Sequence, residues 1–362
     1  MPRRDDQRIH PRKGGGRVTI KDVARHVGLS PATVSLVLNR APTAASIPQP
    51  TQDRILAAVE ELNYRPDRLA QSLRRGRSAS VGILVPDIGE AYAAGIMGGV
   101  ERGLSEKDYL FLAASHRWDL ERLAESLDRL EDRSVDGLIL VATPIREIPG
   151  LPTVVVAGHE RLPGVTNVII DHDVAAAQAL SHLAEHGHER IAVLKGHHPL
   201  DTDTADRWRA VAEAAQAHGV EVPPELVKEL GDGRSRDVFA AEARYREGFG
   251  AAREVLAEGV PFTALFAFDD ISAIGATRAL LDAGLRVPED VSVIGFDDVQ
   301  SARFQSPGLT TIRQPLREMG ELAARTLLAR IAGGAGPPDV LSVEPVLVIR
   351  ESTGPAPARA RR

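Results

Sequence analysis

The chain has no cysteine among its 362 residues, so neither a disulfide framework nor a thiolate metal site is open to it, and a reducing compartment suits it. No apolar run approaches the roughly 20 residues that span a bilayer, so no membrane partner is expected. The opening residues, MPRRDDQRIHPRK, carry charges with no apolar run behind them, and a secretory leader is not expected. GxSxG, P-loop and strand-following GxGxxG motifs are all missing, and the carboxylates are scattered rather than paired. An enzyme is therefore not expected, nor is a cofactor. His182 and His186 have the i, i+4 spacing of helical metal ligands with His188 nearby, but the sequence places no acidic ligand beside them, and no metal is expected. His197 and His198 read as loop. The Pro/Ala/Arg-rich tail after Arg350 has no heptads, so a coiled-coil assembly segment is not expected there.

What is present is an excess of basic charge and helical periodicity near the amino terminus. Residues 18–39, VTIKDVARHVGLSPATVSLVLN, predict two short helices joined by a glycine turn. Thr19 can cap the first, and Asp22 suits its positive end. Val23, Ala24 and Val27 form one apolar stripe. Gly28 stands where the backbone must turn left-handed. Ser30 caps the second helix and Pro31 fills its first position. Val34, Val37 and Leu38 face inward, leaving Pro31, Ala32, Thr33, Ser35 and Leu36 outside. A pair of this length is the helix-turn-helix that reads DNA. Residues 1–77 hold 15 Lys/Arg against 7 Asp/Glu, while the rest holds 29 against 43. A basic module on an acidic body suits a polyanionic partner.

Residues 51–62 predict a third helix with Ile55, Leu56, Val59 and Leu62 on one face. Pro66 follows, and residues 67–74 have the length of about two helical turns, too short to be stable alone in water. Leu69 and Leu73 lie there among arginines. The apolar runs 80–86, 109–113, 137–141, 153–156, 190–194, 264–267 and 292–295 read as buried strands. Helical patterns at 121–130, 175–186, 208–218, 245–256 and 271–283 alternate with them, which predicts doubly wound parallel sheets. Some 280 residues exceed one comfortable core, so two α/β lobes are expected, with a ligand site between them beyond the strand carboxyl ends.

These residues carry a resemblance to the LacI/GalR family of bacterial transcriptional regulators. It rests on TIKDVA (19–24), LSPATVS (29–35), VLN (37–39), YRPDRLAQSLR (64–74), VGILVPD (81–87), VDGLIL (135–140), GHERIAVL (187–194), VPEDVSVIGFDD (287–298) and LTTIRQP (309–315). It implies an all-α helix-turn-helix domain attached to a two-lobed α/β body like the periplasmic binding proteins. The implied divisions are a flexible basic tail at 1–16, a DNA-binding domain at 17–64, a hinge helix and linker at 65–78, an effector and dimerisation domain at 79–352, and a disordered tail at 353–362. Within the body, lobe 1 is expected at about 79–171 and 301–328, and lobe 2 at about 172–300 and 329–352.

The resemblance also implies roles. Pro31, Ala32 and Leu36 face bases in the major groove; Thr19, Ser30, Thr33, Ser35, Asn39, Tyr64, Leu69 and Arg74 complete the DNA contacts, with Thr33 on phosphate. Leu73 wedges into the minor groove beside its twin. Pro31, Ala32 and Leu36 are apolar, and without an arginine fork for guanine the readout leans on thymine methyls and DNA shape. Residues 41–50 form a loop longer than the family spacing, and Arg3, Arg4, Arg8, Arg12 and Lys13 add phosphate contacts. For the effector the implied residues are Tyr92, Asp203, Arg207, Asp269 and Asp297, a set suited to the vicinal hydroxyls of a sugar or polyol; Asp270 reads as a helix cap. The expected partners are palindromic operator duplex DNA, a small-molecule effector and a second copy of the chain, meeting through Ile96, Met97 and Val100. The expected function is a repressor in the cytoplasm, at the nucleoid. The competing readings are a periplasmic-type sugar receptor and a DNA-binding protein without a ligand.

Overall fold

The computed structural model describes residues 18–39, 41–65, 77–143, 149–158, 162, 164–196, 202–230, 240–333 and 339–358. The chain divides into two compact units, Met1–Ser78 and Ala79–Arg362. The expected tail at 1–16 and the hinge positions Leu69, Leu73 and Arg74 lie outside the described residues.

The first unit is built on α1 (Ile20–Val27), α2 (Pro31–Leu38) and α3 (Gln49–Glu61). Asp22 Oδ2 accepts from Thr19 N at 3.0 Å and from Thr19 Oγ1 at 2.7 Å, closing the start of α1. Gly28 ends that helix with φ of 66°, a left-handed value that glycine adopts without strain. Ser30 Oγ accepts from Thr33 N at 3.1 Å with Pro31 at the first helical position. Val23, Ala24, Val27, Val34, Val37, Ile55 and Ala58 form the core. Leu56, expected on the inner face of α3, is 47% exposed, and Ala58 fills that place. The 41–50 segment winds a single turn at Pro42–Ser46 and leaves the helices intact. Gln52 fastens it, donating to the carbonyls of Ala44 at 3.2 Å and Ile47 at 2.8 Å.

The second unit holds two six-stranded sheets. Lobe 1 contains β1 (Ser80–Val85), α4 (Ala91–Ser105), β2 (Leu110–Ser115), α5 (Leu120–Asp132), β3 (Leu138–Val141), β4 (Thr153–Val156) and β5 (Thr166–Ile170). Lobe 2 contains α6 (His172–Glu185), β6 (Ile191–Lys195), α7 (Thr202–His218), β7 (Val227–Glu229), α8 (Ala240–Ala257), β8 (Ala264–Ala267), α9 (Asp270–Asp282), β9 (Ser292–Asp297), α10 (Gln300–Phe304) and β10 (Thr310–Arg313). The chain then returns to lobe 1 with α11 (Leu316–Ile331) and β11 (Val340–Val343), and closes in lobe 2 with β12 (Val346–Val348). Strand orders are β11-β5-β4-β3-β1-β2 and β12-β10-β9-β8-β6-β7. Among the described residues, all strand pairings are parallel except β10 with β12. Every residue of β3, β4 and β8 is buried, as parallel strands covered on both faces require.

This corrects the expected lobe boundaries. β10 pairs with β9, so 301–313 belong to lobe 2, whereas β11 pairs with β5 and places 340–343 in lobe 1. The tail is corrected as well: residues 353–358 are ordered against lobe 2 rather than disordered. Ala356 N donates to His186 O at 2.8 Å, and Thr353 Oγ1 meets His182 Nε2 at 2.9 Å. His188 bonds Thr263 Oγ1 at 2.9 Å and Gly354 O at 3.0 Å. The three histidines thus clamp the chain end, and burial pushes His182 and His188 below the ordinary imidazole range.

Ile96 and Val100 are wholly buried, so they are not interface residues; α4 turns that face to α11. The two helices touch through glycines. A Cβ on Gly99 would lie 2.0 Å from Arg317 O, and one on Gly320 would lie 2.1 Å from Ile96 O. Gly99→Val should therefore destabilise the body by on the order of 3 kcal/mol, read as a lower urea midpoint at unchanged slope. An unchanged midpoint would contradict the close crossing.

Candidate functional site

Two sites emerge, one in each unit. On α2, Pro31, Ala32 and Leu36 are exposed, while Thr33 and Ser35 are half-buried. Ser30 Oγ lies 2.9 Å from Thr33 Oγ1, and Asn39 Nδ2 donates to Ser35 O at 2.8 Å and Ser35 Oγ at 3.0 Å. The polar residues at both ends of α2 therefore hold the helix, and the small apolar residues between them form its free surface. Tyr64 is half-buried against the core of the unit, with its N–H on Val59 O at 2.9 Å. Thr19 is exposed at the start of α1.

The second site is a cleft of about 120 Å³ in the body. A single water needs only roughly 10–15 Å³, so the cleft has room for more than a lone solvent molecule. Its walls include all five expected residues, Tyr92, Asp203, Arg207, Asp269 and Asp297. Lobe 1 supplies Tyr92 from α4 and Trp118 from the β2–α5 turn. Lobe 2 supplies Asp203, Thr204 and Arg207 from α7, and Phe268, Asp269 and Asp297 from strand ends.

Arg207 is the organising cation. It is buried, donates through Nη1 to Phe268 O, and pairs through Nη2 with Asp203, one turn earlier on α7. Its guanidinium carbon lies 3.8 Å from the centroid of the Phe296 ring. Asp203 Oδ1 in turn meets His172 Nε2 at 2.7 Å. Phe268, Phe296 and His172 thus hold the pair in place from three sides.

Asp297 is 8% exposed and accepts from Gln314 Nε2 at 2.6 Å. Burial, then the neighbouring Asp270 carboxyl, pushes it well above the ordinary carboxylate range, against the pull of Arg207. Its φ is 108°, and that of Asp298 is 57°, both left-handed values that cost non-glycine residues on the order of 1–3 kcal/mol and collect at functional turns. Asp298 holds the turn through ion pairs to Arg313 at 2.7 Å and to Arg350.

The expected cap of α9 is off by one. Asp269 is the cap, accepting from Ser272 N and Ser272 Oγ, each at 2.7 Å. Asp270 is fully buried and accepts from Val299 N at 2.8 Å and Thr311 Oγ1 at 2.6 Å, tying the β9 turn to β10. Burial pushes Asp270 up to about 8 from an ordinary value of 3.8. Between those values the folded chain keeps a proton that the unfolded chain has lost, so this group lowers stability as pH rises from about 4 to 8. Asp270→Asn should flatten the fall in stability between pH 5 and 7 by up to about 1.4 kcal/mol per pH unit in urea titrations. Identical slopes would show that Asp270 is ionised in the fold.

Trp118, Phe268 and Gln314 were not singled out from the sequence. Gln314 lies in the LTTIRQP motif, which was a usable signal. Trp118 gave none, because its place depends on a turn with two left-handed residues, Arg117 at φ 49° and Trp118 at φ 57°.

Among the described residues, no helix is long and apolar enough to cross a membrane and no histidine or carboxylate group could hold a metal ion. Residues 19–67 match the family model of bacterial regulatory proteins of the lacI family, and 180–353 match that of periplasmic binding protein-like domains. The chain is 34% identical over 354 residues to the HTH-type transcriptional repressor PurR of Escherichia fergusonii, covering 95% of this chain and 99% of that one. Among solved structures, it matches the lac repressor dimer bound to operator and the anti-inducer ONPF. There the TM-score is 0.81 at 26% identity, over 94% of this chain and all of that one. It also matches the transcriptional regulator CelR in complex with cellobiose, with a TM-score of 0.66 at 31% identity over 93% of this chain and all of that one. A DNA-reading module and a ligand-binding body in one chain, with relatives that are repressors and not enzymes, lead to one conclusion: the chain belongs to the lacI family of bacterial regulatory proteins, DNA-binding transcriptional regulators with an effector domain.

Proposed function

We propose that the protein is a homodimeric repressor of the cytoplasm that holds a palindromic operator and changes its grip when a sugar or polyol enters the cleft. The observation that carries this reading is the cleft's composition: a guanidinium and several carboxyls beside aromatic rings. Vicinal hydroxyls each need a donor and an acceptor, which Arg207, Asp269 and Asp297 offer close together. CelR with cellobiose is a related precedent among solved structures.

On DNA, Pro31, Ala32 and Leu36 face base edges, while Thr19, Ser30, Thr33, Ser35, Asn39 and Tyr64 line the phosphates. Leu73 of each protomer enters the minor groove, with Leu69 and Arg74 beside it. Ligand binding shifts the packing of the lobes, and through it the separation of the paired hinge segments. The direction of the response follows from which lobe arrangement the ligand prefers.

A second copy of the chain is the occupant assigned to the edge of lobe 1. Leu110 and Leu112 stand two apart on β2, hence on one face, and are 65% and 36% exposed. β2 is also the outer strand of its sheet, and an apolar edge of this kind demands a cover. Replacing both leucines by glutamate should convert dimers to monomers in sedimentation at micromolar concentration while leaving the far-ultraviolet spectrum unchanged. Persistent dimers would move the interface elsewhere.

Thermal-shift screening of the full chain against sugars, polyols and nucleobases tests the ligand class. A stabilising sugar or polyol is expected, because tight ligands raise apparent stability. Stabilisation by nucleobases alone would overturn it.

A further inference from the structure

We propose that Gln178 is the positioning residue that ties the third lobe crossover to lobe 2, so that bending between the lobes is confined there to Glu344. This rests on the reading in which ligand binding shifts the packing of the lobes, and it locates the bend that such a shift requires.

Among the described residues, the chain passes between the lobes three times: from β5 into α6, from β10 into α11 and from β11 into β12. The passages lie side by side, because Ile170 pairs with Val343 in lobe 1 and Arg313 pairs with Val346 in lobe 2. In the first, Asp171 already belongs to lobe 2: its Oδ1 accepts from Asp173 N and Val174 N at 3.0 Å each, at the start of α6. In the second, Gln314 is held to lobe 2 by its bond to Asp297, and Pro315 caps α11 in lobe 1. Both passages change lobe within a single peptide link.

The third passage, Val343 to Val346, takes its anchor from a side chain. Gln178 on α6 donates through Nε2 to Pro345 O at 3.2 Å, and Leu347 N donates to Gln178 Oε1 at 2.6 Å. Those backbone groups stand two residues apart, and one peptide unit of a parallel neighbour would bond the same two. A primary amide carries the same donor and acceptor, so Gln178 stands in for a strand along the outer edge of β12. β10 takes the other edge. Gln178 is half-buried and Pro345 is buried, so water competes poorly for these bonds. With Val343 held to β5 and Pro345 held to α6, Glu344 alone stands between the lobes here. Movement of lobe 2 then reaches β5, β11 and α11 together, with little slack in any passage. Without the amide, the free run lengthens to Glu344 and Pro345.

The chain has no cysteine, so Ala124→Cys on α5 and Ala217→Cys on α7, both at exposed positions, put one spin label on each lobe of the full-length protein. Labelled chain diluted in excess unlabelled chain reports the distance between the lobes of one protomer, with no ligand present. Gln178→Met, which keeps the length of the side chain and removes both polar groups, should broaden that distance distribution. It should also speed hydrogen exchange at the Leu347 amide by about tenfold. Gln178→Glu keeps an acceptor for Leu347 N–H but loses the donor for Pro345 O. It should return slow exchange at Leu347 and leave the distribution broad. A distribution as narrow as the parent's in Gln178→Met overturns the tie, whatever the exchange shows. Faster exchange throughout lobe 2 in that variant also overturns it, by making Gln178 a general support of the fold. Either failure leaves the effector reading standing, since thermal shift with sugars, polyols and nucleobases judges that separately.

Discussion

Arg207→Ala should abolish the response to the effector while leaving operator binding intact. The side chain touches Phe268 O, Asp203 and the face of Phe296, so its loss unmakes one whole wall of the cleft. It also strips Asp203, 17% exposed, of its guanidinium partner. Charge-assisted hydrogen bonds contribute roughly 1.5–3 kcal/mol each, so ligand affinity should fall by about a hundredfold or more. Asp203 keeps His172, but losing the cation from a partly buried carboxylate should also lower the melting temperature of the body. Arg207→Lys keeps the charge but not the planar fork and should recover little. The check is operator titration with and without a stabilising sugar: the variant should bind DNA as the parent does and ignore the ligand. A retained response would remove Arg207 from the effector site.

The second large effect belongs to the other unit. Leu36→Glu should reduce operator affinity by about a hundredfold, because a carboxylate would face base edges and phosphates in the groove, where like charges cost several kcal/mol. Leu36 is 36% exposed and lies outside the core of its unit, so stability should change by no more than about 0.5 kcal/mol. Melting curves and anisotropy titrations at fixed salt measure both. Equal operator affinity in the two proteins would take α2 out of the groove.

The sequence revealed local structure well and partner choice poorly. Caps and turns are local events: Thr19 with Asp22, Gly28, and Ser30 with Pro31 all stand where the pattern of residues placed them. β4 and β8 were bounded to the residue at 153–156 and 264–267, because buried parallel strands are unbroken apolar runs. Periodicity marks an apolar face without naming what covers it. Ile96 and Val100 read as an interface, but α11, more than two hundred residues later in the chain, lies on them. The lobe boundaries failed for the same reason. β10, β11 and β12 are strands of only three or four residues that change sheets between neighbours, and their pairing is set by contacts far away in sequence.

The cleft was legible in part. Its charged residues lay in ordered motifs and converge on one cavity, Arg207 and Asp203 by virtue of one helical turn between them. The cap of α9 was displaced by one residue, since adjacent aspartates give no sequence signal to choose between them. What separates them is burial: Asp269 reaches the helix start, and Asp270 is sealed beneath the β9 turn. Trp118 was invisible because two left-handed residues in succession have no sequence signature outside glycine and asparagine.

Selection from a pool of random duplexes by the full-length protein, sequenced after several rounds at fixed salt, tests the account most directly. Two copies of α2 related by a twofold axis should enrich an inverted repeat whose half-sites lie about one helical turn apart. Recovery of a pool with no enriched sequence, or of an asymmetric single site, would contradict a paired DNA-reading module.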